Sequence, residues 1–217
     1  MKTLVRSLSV AMAMAGVLSG FATTNTHAQT QAPALAVPQA QIYLVRGLFG
    51  VFSLGMDQLA LKLKEQGFEP RLVGWEQWGV VANEILANNR RGDSGQIILI
   101  GHSLGADSTI QIASNVAKEN VPIDLIVTFD TTQPLQVPNN VVHFINFFQE
   151  NGVGKRMVAE SGFQGQLSNI DLSADRSLDH LNIDESARLQ QIVVNKVFEV
   201  TFQQAQQVPS RRKTIAQ

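Results

Sequence analysis

The sequence predicts an α/β fold: a mostly parallel central sheet of about six strands, with helices on both faces and no cap domain. Three observations predict it. Short apolar, β-rich runs alternate with segments whose apolar residues recur at helical spacing. One of those runs, Ile97-Ile98-Leu99-Ile100, leads straight into Gly101-His102-Ser103-Leu104-Gly105. The stretch between an apparent leader and a polar tail, residues 41–202, is long enough for one domain with a real core.

Ile42 to Val45 opens the fold as a core strand and runs into Arg46-Gly47-Leu48-Phe49-Gly50. Met56, Leu59, Ala60 and Leu63 mark the helix behind it, which stops at Gly67. Phe68 to Trp75 is a second strand, with Pro70 near its start arguing for an edge. Trp75 and Trp78 lie on the connection to a helix burying Ala82, Ile85 and Leu86. Arg91-Gly92-Asp93 reads as a turn ahead of the next strand. After the central strand, Ala106, Ile110, Ala113 and Ala117 form one helical stripe. Val121-Pro122 then turns the chain into Ile123 to Phe129, and Val141 to Phe147 follows as a fifth strand. Gly165 to Leu172 is a short sixth. Asp184 is expected to cap a last helix whose inner face is Leu189, Ile192, Val193, Val197 and Val200. The long connection 148–179 is the one candidate for a lid.

Strand, Gly-x-Ser-x-Gly, helix is the pattern of a nucleophile elbow. A serine on a sharp turn stands clear of the sheet, and side chains at Gly101 and Gly105 would strike the neighbouring strand and helix. The helix behind Ser103 turns its free N–H groups and positive dipole end toward developing negative charge. On these residues the chain resembles the α/β-hydrolases, of the small secreted lipase or esterase kind. That resemblance spans about Ile42 to Leu181, and its one highly specific motif is Gly101 to Gly105. It implies a serine hydrolase of carboxylic esters with an acyl-enzyme on Ser103.

A serine hydroxyl needs a base. Of the four histidines, His27 lies in the leader, leaving His102, His143 and His180. The elbow aims His102 elsewhere, and His143 falls inside a strand. His180, on a polar loop after the last strand, stands where the resemblance places the base. Two acids end strands on the same side of the sheet, Asp130 and Glu150. Asp130 is favoured, with Glu150 the alternative, over the expected surface acids Asp171, Asp175 and Asp184. The resemblance assigns the backbone N–H groups of Leu48 and Leu104 to an oxyanion hole. Many lipases carry His-Gly before the first of these; Arg46-Gly47 stands here instead. Phe49, Trp75 and Trp78 are candidate substrate-binding residues.

Residues 1–28 read as a secretory signal peptide: Lys2 and Arg6, an apolar stretch from Leu8 to Ala22, then Thr26-His27-Ala28. Residues 29–40 read as a flexible leader and 203–217 as a disordered tail. Cleavage after Ala28 would remove two basic residues and no acid, taking 17 against 18 to 15 against 18. Such a surface argues against nucleic acid as a partner. With no cysteine, disulfides are excluded, as is a lipid-modified lipoprotein. The expected location is secreted or periplasmic, the expected partner a small-molecule or lipid ester with contact to a membrane surface. No metal or organic cofactor is expected, and oligomeric state is not legible. Competing readings are an acyltransferase or thioesterase using the same triad, and a non-catalytic binding protein on a hydrolase scaffold.

Overall fold

Alternate residues of the inner strands are apolar on both sides, so the sheet must be covered on both faces. The computed structural model describes residues 39–48, 54–93 and 95–207. In chain order the elements are β1 (Ala40–Arg46), α1 (Leu54–Glu65), β2 (Arg71–Gly74), α2 (Trp78–Arg90), β3 (Gln96–His102) and α3 (Leu104–Ala117). They continue with β4 (Ile123–Phe129), β5 (Gln136–Val137), β6 (Val141–Phe148), β7 (Val158–Ala159), β8 (Gln166–Asp171) and α4 (Ala187–Gln207). Short 3₁₀ turns lie at Trp75–Gln77 and Ile183–Glu185.

Six strands form one sheet in the order β2-β1-β3-β4-β6-β8, every adjacent pair parallel. Every residue of β3 and β4 is buried, as expected for its two central strands. Ile42, Leu44, Ile98, Ile100, Leu125 and Val127 face α1 and α4, where they meet Met56, Leu59, Leu63, Val193 and Val197. Tyr43, Val45, Ile97, Leu99 and Ile126 face α2 and α3, against Val81, Ile85, Ile110 and Ala113. The period-2 alternation of each strand thus builds two cores, one per face. Among the described residues no cap domain stands over the sheet.

Several expectations are corrected. The second strand is the short edge strand β2 and begins after Pro70, whose ring offers no N–H to a ladder. Asp184 neither caps α4 nor lies at the surface: it sits in the 3₁₀ turn before that helix and is fully buried. Ile192 points outward, 39% exposed, because the buried stripe of α4 runs through Leu189, Val193, Val194 and Val197. That helix continues to Gln207, five residues past the expected boundary at 202. The connection 148–179 is no free lid. It contributes β8 to the main sheet, and β7 pairs with β5 in a two-stranded ribbon.

Polar ties hold the same connection down. Asn146 Nδ2 donates to Lys155 O at 2.8 Å and to Asn169 Oδ1 at 3.0 Å. Asn169 Nδ2 donates to Met157 O, and Thr131 Oγ1 to Lys155 O. The expected signal peptide, most of the leader, Phe49 and residues 208–217 lie outside the described residues.

Candidate active site

At the C-terminal end of β3 the chain reverses into α3 within one residue. Ser103 makes that turn at φ 57°, ψ −127°, a left-handed conformation that costs a non-glycine residue of order 1–3 kcal/mol. The flanking glycines show why nothing larger fits. A Cβ on Gly101 would lie 2.4 Å from Gly105 O, and one on Gly105 would lie 2.1 Å from Val45 O. The elbow is therefore wedged against both its own helix and the end of β1.

Ser103 holds the N-cap position of α3 but makes no side-chain capping bond. Serine is among the preferred capping residues because its oxygen accepts from the first turn's N–H groups. Here the hydroxyl turns away from the helix, and its Oγ lies 2.9 Å from His180 Nε2. His180 Nδ1 lies 3.2 Å from Asp130 Oδ2. A carboxylate only accepts, so Nδ1 carries the ring proton and Nε2 is left to accept from Ser103. Ser103 is 8% exposed, the His180 side chain 22%, and Asp130 is fully buried. The arrangement thus runs from a dry acid to an imidazole at the rim.

Asp130 follows β4 with a positive φ of its own, 51°. Its other oxygen, Oδ1, accepts from the Gln149 backbone N–H at 3.2 Å. The Gln149 side chain donates to Leu178 O at 2.9 Å, tying the end of β6 to the loop that carries His180. Gly154 closes over the acid: a Cβ there would lie 2.2 Å from Asp130 Oδ1. Asp107, buried in the first turn of α3, accepts from the Thr132 N–H at 2.9 Å, from the Thr132 hydroxyl and from the Gln133 N–H. Burial pushes its carboxyl above the usual range, opposed by those donors. It fastens the turn after Asp130 to the helix behind Ser103.

Glu150, the alternative acid, is exposed; its N–H donates to Ser173 Oγ and no bond joins it to His180. His143 lies mid-strand on β6, its Nδ1 3.2 Å from Gln166 Oε1. The His102 ring is buried and its Nε2 reaches the His180 carbonyl oxygen at 2.8 Å. Leu104 opens α3, so its N–H belongs to the uncapped first turn. Leu48 follows β1, two residues beyond Arg46, whose carbonyl would stand 2.8 Å from a Cβ on Gly105. That contact puts the loop after β1 beside the elbow.

Arg46 occupies the position before Gly47. Its guanidinium grips Asp57 in α1 with Nε at 2.9 Å from Oδ2 and Nη2 at 2.5 Å from Oδ1. At 30% and 40% exposure such a pair adds little stability, about 0–1 kcal/mol, but two parallel bonds fix geometry. It ties the end of β1 to the first turn of α1. Beside it a cleft of about 440 Å³ opens between Arg46, Gly47, Val73, Gly74 and Glu76.

Trp75 and Trp78 take packing positions. Both lie against the core under α2 and α3. The Trp75 carbonyl accepts from Ser108 Oγ at 2.8 Å. Trp78 lines a groove of about 690 Å³ with Ile110, Ser114, Lys118 and Leu135. Those α3 residues stand roughly two to four helical turns from Ser103, so an acyl pocket at the elbow is not what this groove offers. Sequence reasoning passed over Asp107, Gln149 and Gly154, whose roles arise from contacts 19 to 29 residues distant in the chain. An aspartate in a helix's first turn is ordinary on electrostatic grounds, so Asp107 carried no special signal.

The sheet, its covering helices and the strand-elbow-helix unit match an α/β-hydrolase fold. No family model matches the sequence, and no curated protein matches it. Among solved structures, the esterase domain of a Rhodothermus marinus protein is 15% identical, over 79% of this chain and 89% of that one, with a TM-score of 0.49. A cutinase-like protein from a Cryptococcus species is 13% identical, over 77% and 98%, with a TM-score of 0.48. A thioesterase of the prodiginine biosynthetic pathway in Streptomyces coelicolor is 12% identical, over 84% and 97%, with a TM-score of 0.43. Likenesses this distant carry no chemistry to this chain; its own side chains must supply that.

Proposed function

We propose that this protein is a serine hydrolase of carboxylic esters, acting through an acyl-enzyme on Ser103. The observation that carries the reading is the continuous line of contacts Ser103 Oγ, His180 Nε2, His180 Nδ1, Asp130 Oδ2, starting from a serine on a strained turn. A structural glycine turn has no need of a positive-φ serine that forgoes its capping bond.

In this reading His180 Nε2 takes the hydroxyl proton as Ser103 Oγ attacks the ester carbonyl. The C–O double bond becomes an oxyanion, which the N–H groups of Leu48 and Leu104 receive. The tetrahedral intermediate collapses, the bond to the alcohol breaks, and His180 returns its proton to the departing oxygen. Water then attacks the acyl-enzyme with the same base, releasing the acid. Asp130 holds the imidazole in the Nδ1–H tautomer and offsets its positive charge in transit. The dipole of α3 adds to the oxyanion's stabilisation.

The N-terminal segment, with Lys2, Arg6 and the apolar run after them, supports action outside the cytoplasm on a small-molecule or lipid ester. Hydrolysis is tested by product analysis on a chain-length series of esters, with Ser103→Ala as the control. Free acid in stoichiometric yield supports it. Acyl groups recovered only on an added alcohol or thiol acceptor would replace it with acyl transfer.

A further inference from the structure

The triad acid is dry although the chain leaves the sheet beside it. Asp130 is fully buried, and its Oδ1 accepts from the Gln149 N–H. The strap 149–157 closes over that oxygen. Its Gly154 comes so near that a Cβ there would lie 2.2 Å from Oδ1. Gly154 and Met157 are buried, but Asn151, Gly152, Val153, Lys155 and Arg156 are exposed, so the strap has little apolar contact of its own to hold it down.

A row of polar side chains in the sheet holds it instead. Thr128, Asn146 and Asn169 stand in register on β4, β6 and β8. Thr128 and Asn146 are fully buried, where an amide without partners is costly. Thr128 Oγ1 donates to Asn146 Oδ1 at 2.9 Å. Asn146 Nδ2 spends one hydrogen on Asn169 Oδ1, at 3.0 Å, and the other on Lys155 O, at 2.8 Å. Asn169 takes both backbone groups of Met157, accepting from N–H at 2.8 Å and donating to O at 3.0 Å. These backbone partners fix both amide orientations, because a carbonyl only accepts and an N–H only donates. Thr131 Oγ1 reaches the same Lys155 carbonyl at 3.2 Å. Lys155 follows Gly154 directly, so the row ends one residue from the contact with Asp130 Oδ1.

We propose that Asn146 is a positioning residue for the triad acid: through the Lys155 carbonyl it holds the strap 149–157 on Asp130 and keeps water from its carboxylate. Water at Oδ1 would screen the charge that steadies the His180 imidazolium and loosen the bond from Nδ1–H to Oδ2. Asn146 acts only through the strap and the acid. The consequence for turnover rests on the proposed hydrolase reading; the shielding of Asp130 does not.

Asn146→Ala removes the tie without stranding its partners. Thr128 Oγ1 keeps the Ile145 carbonyl at 3.5 Å, Lys155 O keeps Thr131, and Asn169 Oδ1 keeps the Met157 N–H. The first measurement is exchange of the His180 Nδ1 proton with water, followed by NMR on ¹⁵N-labelled protein. Exchange should be at least about tenfold faster in Asn146→Ala than in the wild type. Thr131→Val, which loses only the hydroxyl on the same carbonyl, should move in the same direction and decides the matter if the alanine variant does not fold. Unchanged exchange in a folded variant, with only Tm lowered, overturns the proposal and leaves the row as a structural tie.

With an ester substrate, Asn146→Ala should lower kcat about tenfold and leave KM within about twofold. In Asp130→Asn, which has no carboxylate charge to shield, the same substitution should cost less than about twofold. An equal loss in both backgrounds would overturn the route through the acid. A wild type that turns over no ester would remove the hydrolase reading, and proton exchange would still decide the shielding.

Discussion

Ser103 and His180 are 77 residues apart in sequence, yet Oγ and Nε2 meet at 2.9 Å. The serine reaches that point from the end of a fully buried strand, the histidine from a polar loop. Gln149 Nε2, on Leu178 O, and His102 Nε2, on His180 O, hold the loop in place. The contact is therefore a product of three elements, the ends of β3 and β6 and the His180 loop, and its parts can be removed one at a time.

Removing the base or disabling its acid should separate the two candidate carboxylates. His180→Ala should cut ester turnover by at least about 10⁴-fold and Asp130→Asn by about 10⁴-fold, with folding retained. Glu150→Gln should change kcat/KM by less than about twofold, since its side chain is exposed and takes no part in the relay. Steady-state kinetics on one soluble ester decides this. Loss in Glu150→Gln with activity retained in Asp130→Asn would reverse the assignment.

Arg46→Lys keeps the charge at the loop after β1 but cannot make two parallel bonds to Asp57. It should lower kcat by about tenfold while leaving KM and thermal stability nearly unchanged, because a half-exposed pair contributes little to ΔG. Asp57→Asn should act in the same direction. Equal activity in all three proteins would remove the clamp from the account.

Gly105→Ala should be a folding mutation. Its new Cβ would fall 2.1 Å from Val45 O, a backbone atom of β1, paired on both sides and unable to yield. Urea denaturation should show a loss of about 3 kcal/mol or more. A loss under about 1 kcal/mol would mean that the elbow and β1 are less tightly apposed.

The two buried groups His102 and Asp184 predict a pH dependence of stability. Asp184 keeps its proton in the fold up to about 7, whereas the unfolded carboxyl loses it near 3.8. Between those values the folded state binds more protons, so this group's contribution is lost as pH rises. His102 works the other way, accepting a proton near 4 when folded and near 6.5 when unfolded, so its contribution rises with pH across that window. The two nearly cancel in the wild type. In Asp184→Asn only the second remains, and the variant's Tm relative to wild type should climb from about pH 4.5 to about pH 7.5. A constant difference across that range would contradict the opposed pair.

Much of this architecture was legible because it rests on local patterns. The run Ile97–Ile100 followed by Gly-x-Ser-x-Gly announces a buried strand and an elbow without reference to anything else in the chain. The choice between Asp130 and Glu150 could not be made so directly, since both end parallel strands and only the approach of the 175–180 loop distinguishes them. Asp184 misled for a physical reason. An aspartate just ahead of an amphipathic helix is an ordinary cap, and its burial depends on Gly55, which comes from the distant helix α1, as well as on Gln190 of α4. The connection 148–179 misled similarly. Its length suggests a lid, while the asparagines that pin it, Asn146 and Asn169, look like any polar strand residues until β6 and β8 are side by side.

The most direct test of the central claim is labelling of the purified protein with a fluorophosphonate, read by intact mass, beside Ser103→Ala. A single adduct on the wild type and none on the variant is the predicted result, for it requires a serine activated within a working oxyanion site. No adduct on a protein shown to be folded would contradict the account and leave the fold as a scaffold for binding.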